Sequence, residues 1–411
     1  MSSTSRRNAA GMVGLLLLVS SAFGAWHELN SGVTGPLYSV HFPEGTQVGY
    51  AVGVLPEGGG AILKTTDGGD NWTPQVSGVP SPLNSVYFKD NSNGYAVGEI
   101  ATAIRTTDGG ANWTHMTVPG TDMLNRVQFP DNGMVGYIGV YPRVQSGKVF
   151  KSTDGGDNWT ELAVGGPTDW SHSCGFATDS IGVVIGYDGF VVGTSGPQDP
   201  GTTADLIAAA FSPTDPNTGY LIGNDSTQGV IRYTDDGGWT PWVSVTCEPV
   251  PGAVYGVELA TTNVAYACGS DGFIARSATA TLFGQTMYAG NADLHGVCFP
   301  VGADTGFVVG AGGVVLRTYD GGNPMSVAEE RGPVASRAGI RIVSNPSRRG
   351  ITFRADADVN VAVLDAAGRV VARQTAAKGP NFLPLSKAGV YFVHEAQAQA
   401  QAQAVRVVLT E

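Results

Sequence analysis

Cysteine is scarce in these 411 residues: there are four, Cys174, Cys247, Cys268 and Cys298, and no CxxC pair among them. That excludes a disulfide scaffold and a cysteine-rich metal cluster. Two readings stay open, small buried apolar side chains or a disulfide in an exported chain, with Cys268–Cys298 the pair to test. Charge is thin as well, at 14% of residues, and lopsided, with a formal net charge of −12. The acidity sits in residues 25–326, whereas 327–411 are net basic. So acidic a body argues against nucleic acid or an anionic membrane surface as partner. Helical periodicity is also missing. The one long apolar run, Met12–Ala22, is too short to span a bilayer. The six histidines form no ligand pair, and neither a metal nor a cofactor is expected.

What the chain does have is 59 Gly, 23 Pro and many Val, Thr and Tyr. That mixture favours short strands joined by tight turns, an all-β fold. The apolar run has its own explanation. Arg6 and Arg7 precede it and the small-residue site "AFG" follows it, which reads as a secretory signal over 1–24. The apolar residues of a twin-arginine signal are absent after the arginine pair, so the general export route is expected.

The body repeats itself. "ILKTTDGGDNW" at Ile62–Trp72 returns as "AIRTTDGGANW" at Ala103–Trp113 and "VFKSTDGGDNW" at Val149–Trp159. A second element, "GYAVG" at Gly49–Gly53, recurs in seven copies spaced roughly 40 to 46 residues apart, the period of four-stranded propeller blades. The fold expected for 25–326 is a seven-bladed β-propeller. Units four and six lose the Asp-Gly-Gly turn. Unit five, "IRYTDDGGW", reads as a shortened copy with Asp235 as its carboxylate, and unit seven keeps Asp320 but has no following Trp. That Trp is at the other end of the chain: "WHELNSGVTGPLYSVHF" from Trp26 parallels "WTPQVSGVPSPLNSVYF" from Trp72. The first strand is therefore expected to close the last blade, leaving no free edge.

Thr65, Asp67, Gly69 and Trp72 form a (S/T)xDxGxxW pattern, repeated at Thr106, Asp108, Gly110 and Trp113 and at Ser152, Asp154, Gly156 and Trp159. It resembles the Asp-box hairpin of bacterial neuraminidase repeats. Asp accepts backbone N–H bonds within a tight turn, Gly supplies positive φ, and Trp packs between blades. One copy per blade spreads these carboxylates around a rim, whereas an acid–base pair must converge on one bond. The box is expected to be structural. The longer consensus AVGxxGxIxxTxDGGxxW, over Trp26 to Pro324, resembles the propeller repeats of photosystem II assembly and stability factors. That resemblance implies a non-enzymatic binding scaffold.

Residues 327–340 carry Pro, Gly, Ala and charge without periodicity and read as a linker. Beyond them alternating apolar runs, with a "DAAGR" turn at Asp365–Arg369, suggest a small β-sandwich over 341–411. Asn345-Pro346, "VLDAAGRVV", "GVYFV" at Gly389–Val393 and the terminal "VRVVLTE" resemble the C-terminal sorting domain of the type IX secretion system. The resemblance implies the secretion machinery as a partner of 341–411 and a destination on the outer surface of a Gram-negative cell. "AQAQAQAQA" at Ala396–Ala404 departs from that pattern and reads as a low-complexity loop. This setting argues against photosystem assembly as the chain's job, and a photosystem II assembly/stability factor-like scaffold stays as an alternative on the repeat similarity.

A sialidase needs three arginines gripping a carboxylate, yet Arg105, Arg232, Arg276 and Arg317 share the third-strand site of Lys64 and Lys151. Arg126 and Arg143 remain, too few for the grip, and no (F/Y)RIP segment occurs near the start. A two-carboxylate glycoside hydrolase is the enzyme alternative, with Glu99, Asp169, Asp188, Asp225 and Asp271 as candidates, although Asp188 and Asp271 fit simple Asp-Gly turns. Two carboxylates about 5–10 Å apart in the central funnel would mark a hydrolase, and a funnel without such a pair a binding module. The best ligand-site candidates are Tyr141, Arg143, Asp169, Trp170 and His172, from the distinctive loops of units three and four. Exposed aromatics beside polar groups stack on a sugar ring or a peptide. The expectation is a secreted, non-catalytic module for a glycan or surface-protein ligand.

Overall fold

The computed structural model describes residues 26–322, apart from 44, 121, 131–132, 142–147, 163–170, 195, 249–250, 287 and 289, together with seven strands within 340–409. Two compact units divide it, 1–328 and 329–411. In the first, seven antiparallel sheets follow one another, each starting on an inner strand: Leu37–His41, Leu83–Phe88, Met123–Gln128, Ser171–Phe176, Asp205–Phe211, Val254–Thr261 and Leu294–Val301. The seven "GYAVG" elements are the second strands. Blade 7 is completed by His27–Leu29, which pairs antiparallel with Val315–Thr318 and aligns Glu28 with Leu316. Blade 6 departs from the four-stranded pattern, because Thr246–Glu248 adds a parallel outer strand to Leu282–Gln285. All four cysteines are free and buried, and Cys268 and Cys298 form no disulfide. The second unit holds a three-stranded sheet and a four-stranded sheet.

One device joins each repeat to the next. Thr65 Oγ1 donates to Asp67 Oδ1 (2.8 Å) and accepts from the Gly69 N–H (2.9 Å). Asp67 also takes the Asn71 N–H (3.0 Å) and side-chain amide (2.8 Å). The same closed loop recurs at Asp108 with Asn112 and at Asp154 with Asn158. The asparagine bonds hold all three carboxyls down at about 2. In blade 5 the carboxylate in the box is Asp236, not Asp235. Thr234 donates to Asp236 (2.8 Å) and the Thr240 N–H caps its other oxygen (2.9 Å), so Asp235 merely fills the variable position. That box is not shortened either: Trp239 is 77% exposed, and Trp242 is the buried tryptophan.

The turn then docks on the preceding blade. Tyr50 and Lys64 both donate to the carbonyl of Gly109, Tyr95 to that of Gly155, and Tyr266 to that of Gly321. The third-strand cations are part of the same clasp: Arg105 pairs with Asp157, and Arg317 with Asp70 at 2.6 Å. A Cβ on Gly69 would stand 2.5 Å from the Phe307 ring, and its φ is +91°, so the position demands glycine on two counts. Behind the clasp runs an aromatic ladder. Tyr50 stacks on Phe88 of the next blade at 3.5 Å, and Phe88 meets Trp113 edge-on. Trp26 fills the same place in blade 7, edge-on to Phe299 and Tyr266, with its Nε1 donating to Thr286 Oγ1 (3.0 Å).

Candidate functional site

The seven inner strands enclose a central cavity of about 950 Å³. Each carries a one-residue bulge at the same place, at Tyr38, Asn84, Asn125, His172, Ile207, Tyr255 and His295. A bulge re-aims a side chain and sharpens the local twist. At one end of the bore this sets Tyr38 and Tyr255 on either side of His295, each with its ring 5.4 Å away. Burial lowers the His295 pKa, opposed by Asp293.

Most polar side chains deeper in the bore are spent on neighbouring strands. Ser39 and Ser85 accept the N–H groups of Val86 and Val127, and Asn84 and Asn125 donate to the Leu124 and His172 carbonyls. His41 Nδ1 accepts from the Phe88 N–H (3.2 Å); burial, then the charge of Arg126, lower its pKa to about 4, so the ring is neutral. Glu258 Oε1 accepts from the Phe299 N–H (3.1 Å), and burial pushes its carboxyl up to about 7. Arg126 faces the same bore. Its pKa is lowered, first by burial, while Cys174 and Glu258 act in the other direction.

Of the residues singled out from sequence, the structure brings Tyr141 and His172 together, with ring centroids 4.5 Å apart. They are joined by Tyr187, edge-on to His172 at 3.8 Å, with its hydroxyl 2.5 Å from that of Tyr141. His172 is buried, its Nε2 has no hydrogen-bond partner among the described residues, and burial lowers its pKa to about 4. Burial and the Tyr141 hydroxyl raise Tyr187 to about 12. Arg143, Asp169 and Trp170 lie outside the described residues. Sequence reasoning weighed Asp188 in "YDG" and passed over Tyr187 beside it. It also missed Glu258, whose only signal is its register on an inner strand.

The carboxylate candidates fall into turns. Asp188 and Asp271 have φ of 50° and 53°, and their N–H groups are capped by Asp205 and Asp293. Asp225 Oδ1 accepts three bonds from Thr227 and Gln228, which lower its pKa. Asp169 is outside the described residues, and Glu99 follows the second strand of blade 2, where its N–H donates to the Pro82 carbonyl. Among the described residues no group of three or more His, Cys, Asp or Glu is placed to hold a metal ion.

Comparison with known proteins agrees with this architecture. Residues 75–168 match the family model of the photosynthesis system II assembly factor YCF48. A solved structure of YCF48 bound to D1 peptide is 21% identical with a TM-score of 0.53, over 71% of this chain and 96% of that one. YCF48 from Cyanidioschyzon merolae is 20% identical with a TM-score of 0.56, over 72% and 99%. The WD40 β-propeller domain of Doa1 is 15% identical with a TM-score of 0.54, over 72% and 95%. These matches support the propeller fold. No protein with a curated description matches the chain.

Proposed function

We propose that this chain is an exported, non-catalytic propeller that binds a glycan or protein ligand on the channel face and is delivered to the cell surface through residues 341–411. The bore carries the reading. Among its described lining residues Glu258 is the one carboxylate, so a pair flanking a scissile bond is not assembled there. Of the candidate acids, Asp188, Asp225 and Asp271 serve as turn residues. A protein ligand is favoured over a glycan, because a similar structure was captured with a peptide.

The repeat likeness supports an assembly-factor-like scaffold as the wider class, and the sorting-domain resemblance of the tail supports the reading that this scaffold is exported. Among the described residues no helix is long and apolar enough to cross a membrane. The test is a glycan array, a hydrolysis screen and a surface-protein pull-down on the mature chain. Binding without turnover is the expected outcome. Turnover of any bound glycan would overturn the reading.

A further inference from the structure

We propose that Arg126 is a binding site for a carboxylate in the bore, presented by the free C-terminus of a peptide or by a small organic acid. The inference rests on the reading of the propeller as a binding module and names the chemistry its bore accepts.

The first support is register. Arg126 pairs with Gly139 directly after the bulge of its inner strand. The same position in the other six blades holds Ser39, Ser85, Ser173, Ala208, Gly256 and Gly296. Small residues satisfy this position six times in one molecule, so the fold does not call for an arginine.

The second support is the state of the guanidinium. Arg105, Arg232, Arg276 and Arg317 each donate to a neighbouring oxygen. Among the described residues Arg126 alone of the propeller arginines has neither a hydrogen bond nor an ion pair. Arg126 is half-buried and lines a cavity of about 950 Å³, so a guanidinium with no protein acceptor among the described residues faces space that a ligand can enter. Glu258 acts on Arg126 only through its charge, since it rests on the Phe299 N–H and makes no ion pair among the described residues.

The third support is charge matching. A planar guanidinium takes a carboxylate through two parallel N–H···O bonds at about 2.7–2.9 Å. Among the described lining residues Arg126 is the one arginine or lysine of the bore, which suits a single negative charge. Phosphate dianions meet one cation inside an acidic body and are disfavoured.

Titration calorimetry on the mature chain tests this with acetate, succinate, and the peptide acetyl-Ala-Ala-Ala as free acid and as amide. The expected result is that a free acid binds, the amide binds at least tenfold more weakly, and Arg126→Gln reduces acid affinity at least tenfold. Equal responses to acetate and the free-acid peptide identify a small-acid site; a tenfold preference for the peptide identifies a chain terminus. Arg126→Ser, the residue of three other blades, serves if the glutamine variant fails to fold. The inference is overturned if no acid binds, if the amide binds equally, or if both variants keep full affinity. A ligand from the surface screen that still binds Arg126→Ser, with no acid bound by the wild type, overturns this inference and leaves the wider reading intact.

Discussion

Removing the indole of Trp26 tests ring closure most directly, because this residue joins the start of the chain to its seventh blade. Trp26 is 5% exposed, meets Phe299 and Tyr266 edge-on, and donates to Thr286. Truncating a buried aromatic to alanine costs about 3–5 kcal/mol through lost burial and the cavity left behind. Unfolding entropy of about 2.1 cal/mol/K per residue gives roughly 0.6 kcal/mol/K for a body of about 300 residues. Trp26→Ala should therefore lower Tm by about 5–8 °C in differential scanning calorimetry. The control is Trp239→Ala: that side chain is 77% exposed, so the change should stay within about 0.5 kcal/mol, or 1 °C. Deleting 25–29 should exceed the point mutant, since it also removes the pairing with Val315–Thr318 and bares a strand edge. An unchanged Tm in Trp26→Ala would refute the closure.

Three further outcomes follow from the same geometry. Asp236→Asn disturbs the bonds with Thr234 and Thr240 and should cost about 1–2 kcal/mol, whereas Asp235→Asn should be silent; equal melting curves would contradict the reassigned box. Ile100 is 60% exposed at φ 55°, a costly conformation for a β-branched residue, so Ile100→Asn should raise Tm by about 1–3 °C, and a fall would remove the strain argument. His41 and His172 titrate near 4 in the fold against an ordinary value of 6.5. The unfolded chain therefore binds more protons between those values, and stability should fall as pH drops from about 6.5 to 4; His41→Asn and His172→Asn should each flatten that slope in urea titrations.

The fold was legible because a propeller writes its rules once per blade. Seven "GYAVG" copies gave the seven second strands, and the displaced Trp26 gave the closure. What failed was local. In "TDDGGWTPW" the box had to be counted from Thr234, and alignment on the first Asp and first Trp shifted both assignments. The outer strand of blade 6 was hidden because it pairs parallel with Leu282–Gln285, a contact no hairpin signal announces. The clasp of Tyr50 and Lys64 on Gly109 joins residues that look unrelated within one repeat. Its logic emerges only when the turn of one copy is set against the second strand of the copy before.

The candidate site was less legible for a related reason. A repeat announces whatever is the same in every blade, and a binding site on a ring is made from what differs. Tyr141 and His172 stand out from the consensus as an aromatic and a histidine in unusual stretches, although the structure sets them on strands, Gly136–Tyr141 and Ser171–Phe176, and not in the loops expected. In the sequence Arg126 counts only as one of two arginines, with Arg143, too few for a sialidase's grip. Its meaning depends on the bulge that precedes it and on six small residues at the same register around the bore. Glu258 likewise sits where other blades place His41, Tyr87 or Gln128, and burial, not sequence context, moves its carboxyl to about 7. A cation and an acid held apart in one cavity stabilise a fold poorly. The arginine, where six other blades place serine, alanine or glycine, is therefore better explained by what enters the bore than by what builds it.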